Sequence, residues 1–139
     1  MGQQEPFRPL ALIVEDDPDQ RSLIAMLLEE NGFEILASDS AEAALAIMLL
    51  RGPEVCLVVA DLRLSGLIDG VELARELKVR WPHLSVLLTS GNAGSRLVDL
   101  PPGIEFLPKP WECSHLLAAA ERARSARRAA PRRGFPGRG

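Results

Sequence analysis

The feature that most constrains this chain is an alternation that recurs along most of its length. A short apolar run stops at a chemically loaded residue, and a segment with apolar residues at helical spacing follows. Residues 10–14 (LALIV) form an unbroken apolar run that ends at Glu15, Asp16 and Asp17. Such a run suits a strand buried on both faces, since a half-buried strand would alternate apolar with polar residues. Pro18 then opens a segment in which Leu23, Ile24, Leu27 and Leu28 recur at helical spacing until Asn31-Gly32 stops it. The pattern repeats with strands at 33–38, 55–60, 85–90 and 104–107, and helices at 41–51, 71–80 and about 111–129. Five strands alternating with helices predict right-handed βαβ units, hence an α/β fold with a parallel sheet covered on both faces. A further helix is expected between the fourth and fifth strands, but GNAGSRLVDLPPG (91–103), with its glycines and paired prolines, leaves it short or irregular.

Composition bounds the rest. A chain of 139 residues with 47% hydrophobic content suits one domain with one contiguous core, placed here at residues 8–129. Residues 1–121 hold all 19 acidic side chains and nine basic ones, a net −10, whereas 122–139 hold seven arginines and no acid. The final ten residues (130–139) are rich in Gly, Pro and Arg, and are expected to form a basic disordered tail. No apolar run of membrane-spanning length and no apolar signal core is present, and Cys56 and Cys113 lack the spacing of a zinc site or disulfide framework. A cytoplasmic location with reduced thiols is expected.

Three of the five strand ends carry chemistry, and a fourth leads into it. The first ends in Glu15-Asp16-Asp17, the third at Asp61 and the fourth at Thr89-Ser90-Gly91, while the fifth runs into Leu107-Pro108-Lys109-Pro110. With strand order 2-1-3-4-5 these ends face one crevice, where open α/β sheets collect ligands. Carboxylates gathered there repel one another, which a small hard cation relieves. Mg²⁺ suits such a site because it accepts a few carboxylates, keeps several waters and takes a phosphate oxygen as a further ligand. The Lys109 ammonium and the Thr89 hydroxyl can then hold the same phosphoryl group.

LIVEDDP, VVADLRLSG with the following DG, LLTSG and FLPKP, in this order and spacing, make the chain resemble the CheY-like receiver domains of two-component response regulators over about residues 10–124. The resemblance implies a flavodoxin-like, doubly wound (βα)5 three-layer sandwich. It implies Asp61 as the phospho-acceptor, Thr89 and Lys109 as its catalytic partners, and Thr89 with Phe106 as the switch pair. It implies Mg²⁺ held by Asp16, Asp61, Glu15 (through water) and the Arg63 backbone carbonyl, with Asp17 open between metal ligand and helix cap. It implies a cis Lys109-Pro110 peptide as well. On this reading a sensor histidine kinase or a histidine phosphotransfer protein supplies the phosphoryl group, and an altered surface of the 91–103 helix, fifth strand and last helix meets an output protein. The chain would be a stand-alone receiver rather than an enzyme, at most dephosphorylating itself slowly, with a homodimer left open.

Two departures from the family pattern lie in the loop after Asp61. Ser65 stands where proline is frequent, and 66–70 (GLIDG) is one residue longer than the commonest form. Competing readings are weaker. A haloacid-dehalogenase-like phosphatase needs an acid two residues after its nucleophile, where Arg63 stands, and a flavodoxin needs a Ser/Thr/Gly-rich loop after the first strand. His115 and His83 are assigned to surface or capping roles, and Trp111 to packing. The remaining alternative is a phosphorylation-independent adaptor or nucleic-acid binder acting through the arginine tail, but the tail has one aromatic residue, Phe135, and no folded recognition element.

Overall fold

The computed structural model describes residues 8–91, 100 and 102–129. It contains β1 (Leu10–Val14), α1 (Pro18–Glu30), β2 (Glu34–Ser38), α2 (Ala41–Arg51), β3 (Val55–Asp61), α3 (Gly70–Arg80), β4 (Ser85–Ser90), β5 (Ile104–Pro108) and α4 (Cys113–Ala129). The five strands form one parallel sheet in the order β2-β1-β3-β4-β5, as the alternation predicts. The helix expected between β4 and β5 falls mainly on residues 92–99, and the basic tail on 130–139; both lie outside the described residues.

Alternation along the strands divides the core into two layers. Leu10, Leu12 and Val14 of β1, with Val58, Ala60, Val86 and Leu88, pack under Ala44 and Met48 of α2 and Leu73, Ala74 and Leu77 of α3. Ala11 and Ile13, with Leu57, Val59 and Leu87, pack under Ile24 and Leu28 of α1 and Leu116, Ala120 and Ala123 of α4. All five residues of β1 and all seven of β3 are buried, which is why their sequences read as continuous apolar runs. Removing each such aliphatic side chain from water contributes on the order of 1.5–3 kcal/mol, so these two central strands anchor the sheet.

Helix starts are fixed by side chains that accept from the otherwise unpaired first-turn amides. Ser40 accepts from Ala43 N at 3.1 Å. Asp69 accepts from Glu72 N at 3.0 Å while the Glu72 carboxylate accepts from Asp69 N at 3.0 Å, a reciprocal capping box. The last helix begins two residues later than the sequence suggests, because Trp111 and Glu112 stay non-helical after the cis Lys109-Pro110 peptide. Two strands run one residue longer at their carboxyl ends, so that Asp61 and Pro108 are the last strand residues.

Three of the C-terminal arginines belong to the fold rather than to a free tail. Arg122 forks onto Glu105 of β5 at 2.8 and 3.0 Å. Arg124 lies over the Phe33 ring, 4.8 Å from its centre, and donates to the Asn31 carbonyl. Arg127 donates to Val55 O at 3.0 Å and to the Pro53 carbonyl. Together they tie the C-terminal half of α4 to the end of the sheet opposite the loaded strand ends.

Candidate functional site

Strand register brings the loaded residues level. Val14 pairs with Ala60, and Asp61 pairs with Thr89, while Thr89 pairs with Leu107 on the far side. Glu15 therefore follows β1 beside the end of β3, and Lys109 follows β5 just past Thr89. One carboxylate oxygen each from Glu15, Asp16 and Asp61 lies within 4.8 Å of the other two. Lys109 Nζ stands 3.3 Å from Asp61 Oδ2, and its backbone N–H is held by Ser90 O at 2.9 Å.

Asp61 is 8% exposed and fixed on two sides. Its Oδ1 accepts from Arg63 N at 2.9 Å and its Oδ2 faces Lys109. Leu62 N donates to Thr89 O at 2.7 Å, so the chain leaving β3 stays tied to β4. Thr89 is buried, and Phe106 is half-buried on β5 against the layer formed by α2 and α3. Gly70 lets α3 start close to the site: a Cβ there would stand 2.3 Å from the Asp61 carbonyl oxygen.

Glu15 is 2% exposed, more deeply buried than Asp61. One oxygen, Oε2, accepts from Asp17 N at 3.0 Å, while Oε1 is buried with no hydrogen-bond partner. Burial pushes its carboxyl up to about 7, with the nearby Asp61 charge adding and the Asp17 amide opposing. An orphaned carboxylate oxygen beside two further carboxylates is a donor set that fits a small hard cation with water completing its shell. Asp17 stands outside this group of three. It is the N-cap of α1, accepting from Asp19 N at 3.3 Å.

Reading the sequence missed two neighbours of the acids. Arg21 of α1 donates to Glu15 O at 2.7 Å, and Ser65 Oγ lies 3.4 Å from Asp16 Oδ2. Arg21 sits six residues on, one helical turn inside α1, a spacing that would have suggested it. The Ser65 contact joins residues 49 apart and has no local signature.

Comparison with known proteins assigns the class. The family model for the response regulator receiver domain matches residues 11–121, so the chain belongs to that family. It is 37% identical over 118 residues to the transcriptional regulatory protein AruR of Pseudomonas aeruginosa, an alignment covering 81% of this chain and 48% of AruR. The structure resembles a response regulator receiver domain protein from Clostridium thermocellum, with a TM-score of 0.78, 26% identity, and 86% of this chain and 97% of that one covered. It also resembles the receiver domain of NtrX from Brucella abortus, with a TM-score of 0.69, 33% identity, and 81% and 96% of the two chains covered. The chain spans between 25% and 48% of the length of curated relatives such as NtrX of Azorhizobium caulinodans and AruR.

Proposed function

We propose that the chain accepts a phosphoryl group on Asp61 from a phosphohistidine of a sensor kinase or phosphotransfer protein, with Mg²⁺ bound at the acidic cluster. The observation that carries this reading is the Asp61 carboxylate at a strand end, flanked 3.3 Å away by Lys109 Nζ and gathered with Glu15 and Asp16 within 4.8 Å.

An Asp61 oxygen attacks phosphorus as the P–N bond to the imidazole breaks, the ring nitrogen keeping the electron pair. The product is an aspartyl phosphate. Asp16, Asp61, Glu15 through water and the Arg63 carbonyl would hold the cation, which supplies charge neutralisation for the phosphoryl oxygens. Lys109 places a second positive charge on the same oxygens, and the bond from Arg63 N orients the Asp61 carboxylate. Thr89, directly across the β3–β4 ladder from Asp61, offers a hydroxyl to the new phosphoryl oxygens. Its inward movement would free space for Phe106 to turn, altering the β5 and α4 surface that meets an output protein. On this reading the protein is a signalling acceptor whose own turnover is limited to slow loss of the phosphoryl group.

Incubation with acetyl phosphate and Mg²⁺ tests this. Intact-mass spectrometry should show one added phosphoryl group on the wild type and none on Asp61→Asn. A wild type that gains no mass, or an Asp61→Asn protein that gains it equally, would overturn the proposal.

A further inference from the structure

Glu42 is the second residue of α2 and so stands at the same edge of the sheet as the acidic cluster. Its carboxylate reaches the loop between β3 and α3, where Oε2 accepts from Leu67 N at 2.8 Å and from Ile68 N at 3.2 Å. Its own backbone amide, at the positive end of α2, together with these two donors, holds the carboxyl below the usual range. The approach is close. Gly66 adopts φ +113°, and a Cβ there would lie 2.8 Å from Glu42 Oε1, so glycine serves both the backbone and the carboxylate.

The ends of this loop are held by other means. Leu62 N donates to Thr89 O at 2.7 Å, and Asp69 forms the capping box of α3. Between them lie Arg63, whose N–H orients Asp61, and Ser65, whose hydroxyl lies 3.4 Å from Asp16 Oδ2. Leu64 and Ile68 pack against the core on either side of the tip, but the Leu67 side chain is 91% exposed. The tip between them is held by its backbone bonds to Glu42.

We propose that Glu42 is a positioning residue of the cation site: by latching the loop at Leu67 and Ile68 it keeps the Ser65 hydroxyl on Asp16 and so fixes the orientation of that carboxylate. The inference rests on the reading of Glu15, Asp16 and Asp61 as a Mg²⁺ site. It assigns this chain's loop, with Ser65 and the extended 66–70 stretch, a partner on α2 that sets the geometry of the acids from outside their immediate circle.

Mg²⁺ titration of the wild type, E42Q, E42A, S65A and E42A/S65A, followed by calorimetry, tests the latch. E42A should weaken Mg²⁺ on the order of tenfold, as expected for loss of an outer-sphere partner. E42Q, which keeps a neutral acceptor, should lose less. S65A should weaken binding comparably, and the double variant should be no weaker than the weaker single, because Glu42 acts through Ser65. In the Mg²⁺-free protein, the Leu67 and Ile68 amides of E42A should lose protection from hydrogen exchange. Equal affinity of E42A and wild type, full additivity with S65A, or unchanged exchange at those amides would each overturn the latch. A wild type that binds no Mg²⁺ would overturn the latch and the cation-site reading together. Binding by the wild type that E42A leaves untouched would remove the latch alone.

Discussion

Glu15 shows how much one residue can reveal about a site. Its carboxyl is raised to about 7 from 4.5 chiefly by burial, so the folded protein holds that proton more tightly than the unfolded chain does. Stability without divalent ions should therefore fall as pH rises from about 4.5 to about 7 and level off above, by on the order of 3 kcal/mol. Urea unfolding at pH 5 and pH 8 checks this. The wild type should lose stability over that interval relative to Glu15→Gln, whose side chain does not titrate. Added Mg²⁺ should restore the loss at pH 8 by favouring the ionised carboxylate. A wild type whose pH dependence matches that of Glu15→Gln would show that Glu15 does not carry the burial cost assigned to it. Lys109 is a counterpart of opposite sign: its ammonium, 3.3 Å from Asp61, gives the cluster a fixed positive neighbour.

Among the elements, the contact between α3 and β3 constrains Asp61 most closely. Gly70 N donates to Leu62 O at 3.0 Å, and a Cβ at Gly70 would meet the Leu62 Cα at 2.7 Å as well as the Asp61 carbonyl. These are backbone atoms that cannot rotate away. Gly70→Ala should cost about 3 kcal/mol, the upper end for overpacking, and should slow phosphorylation by acetyl phosphate because relief requires Asp61 to move. Circular-dichroism melts and the mass assay read the two effects, and a variant as stable and as reactive as wild type would contradict the packing argument. The strands and helices themselves were legible in the sequence because burial on both faces leaves unbroken apolar runs, and because Pro18, Asn31-Gly32 and Trp81-Pro82 punctuate the segments. Element ends were less so. Asp61 joins β3 because its ladder with Thr89 continues past the apolar run, and the polar side chain hid that in the sequence. The gathering of Glu15, Asp16, Asp61 and Lys109 was legible through strand order. The Glu42 latch, 25 residues from its partner amide, was not, since a carboxylate in the first turn of a helix ordinarily reads as a cap. Likewise, Arg122, Arg124 and Arg127 read as part of a basic stretch until α4 showed each with a partner on the folded domain.

On the scale of the whole molecule, the strand ladders decide how a change at Asp61 can reach β5. Asp61 pairs with Thr89, and Leu88 pairs with Phe106, so a path from Asp61 to β5 crosses two adjacent ladders. Phe106 packs into the layer under α2 and α3, whereas Ile24, Leu28, Ala120 and Ala123 lie in the opposite layer under α1 and α4. By alternation Asp61 and Thr89 follow Val59 and Leu87 onto the face under α1 and α4, so a signal that reaches Phe106 passes along the ladder in which Leu88 pairs with Phe106 and not within one core layer. Beryllofluoride with Mg²⁺, a tetrahedral stand-in for the phosphoryl group, should therefore shift the NMR signals of Asp61, Thr89 and Phe106 together. In Thr89→Ala the shifts around Asp61 should persist while those at Phe106 collapse, because the hydroxyl that couples β3 to β5 is gone. Wild-type shifts confined to the acidic cluster, or Phe106 shifts that survive the loss of the Thr89 hydroxyl, would exclude this route and place the coupling elsewhere in the sheet.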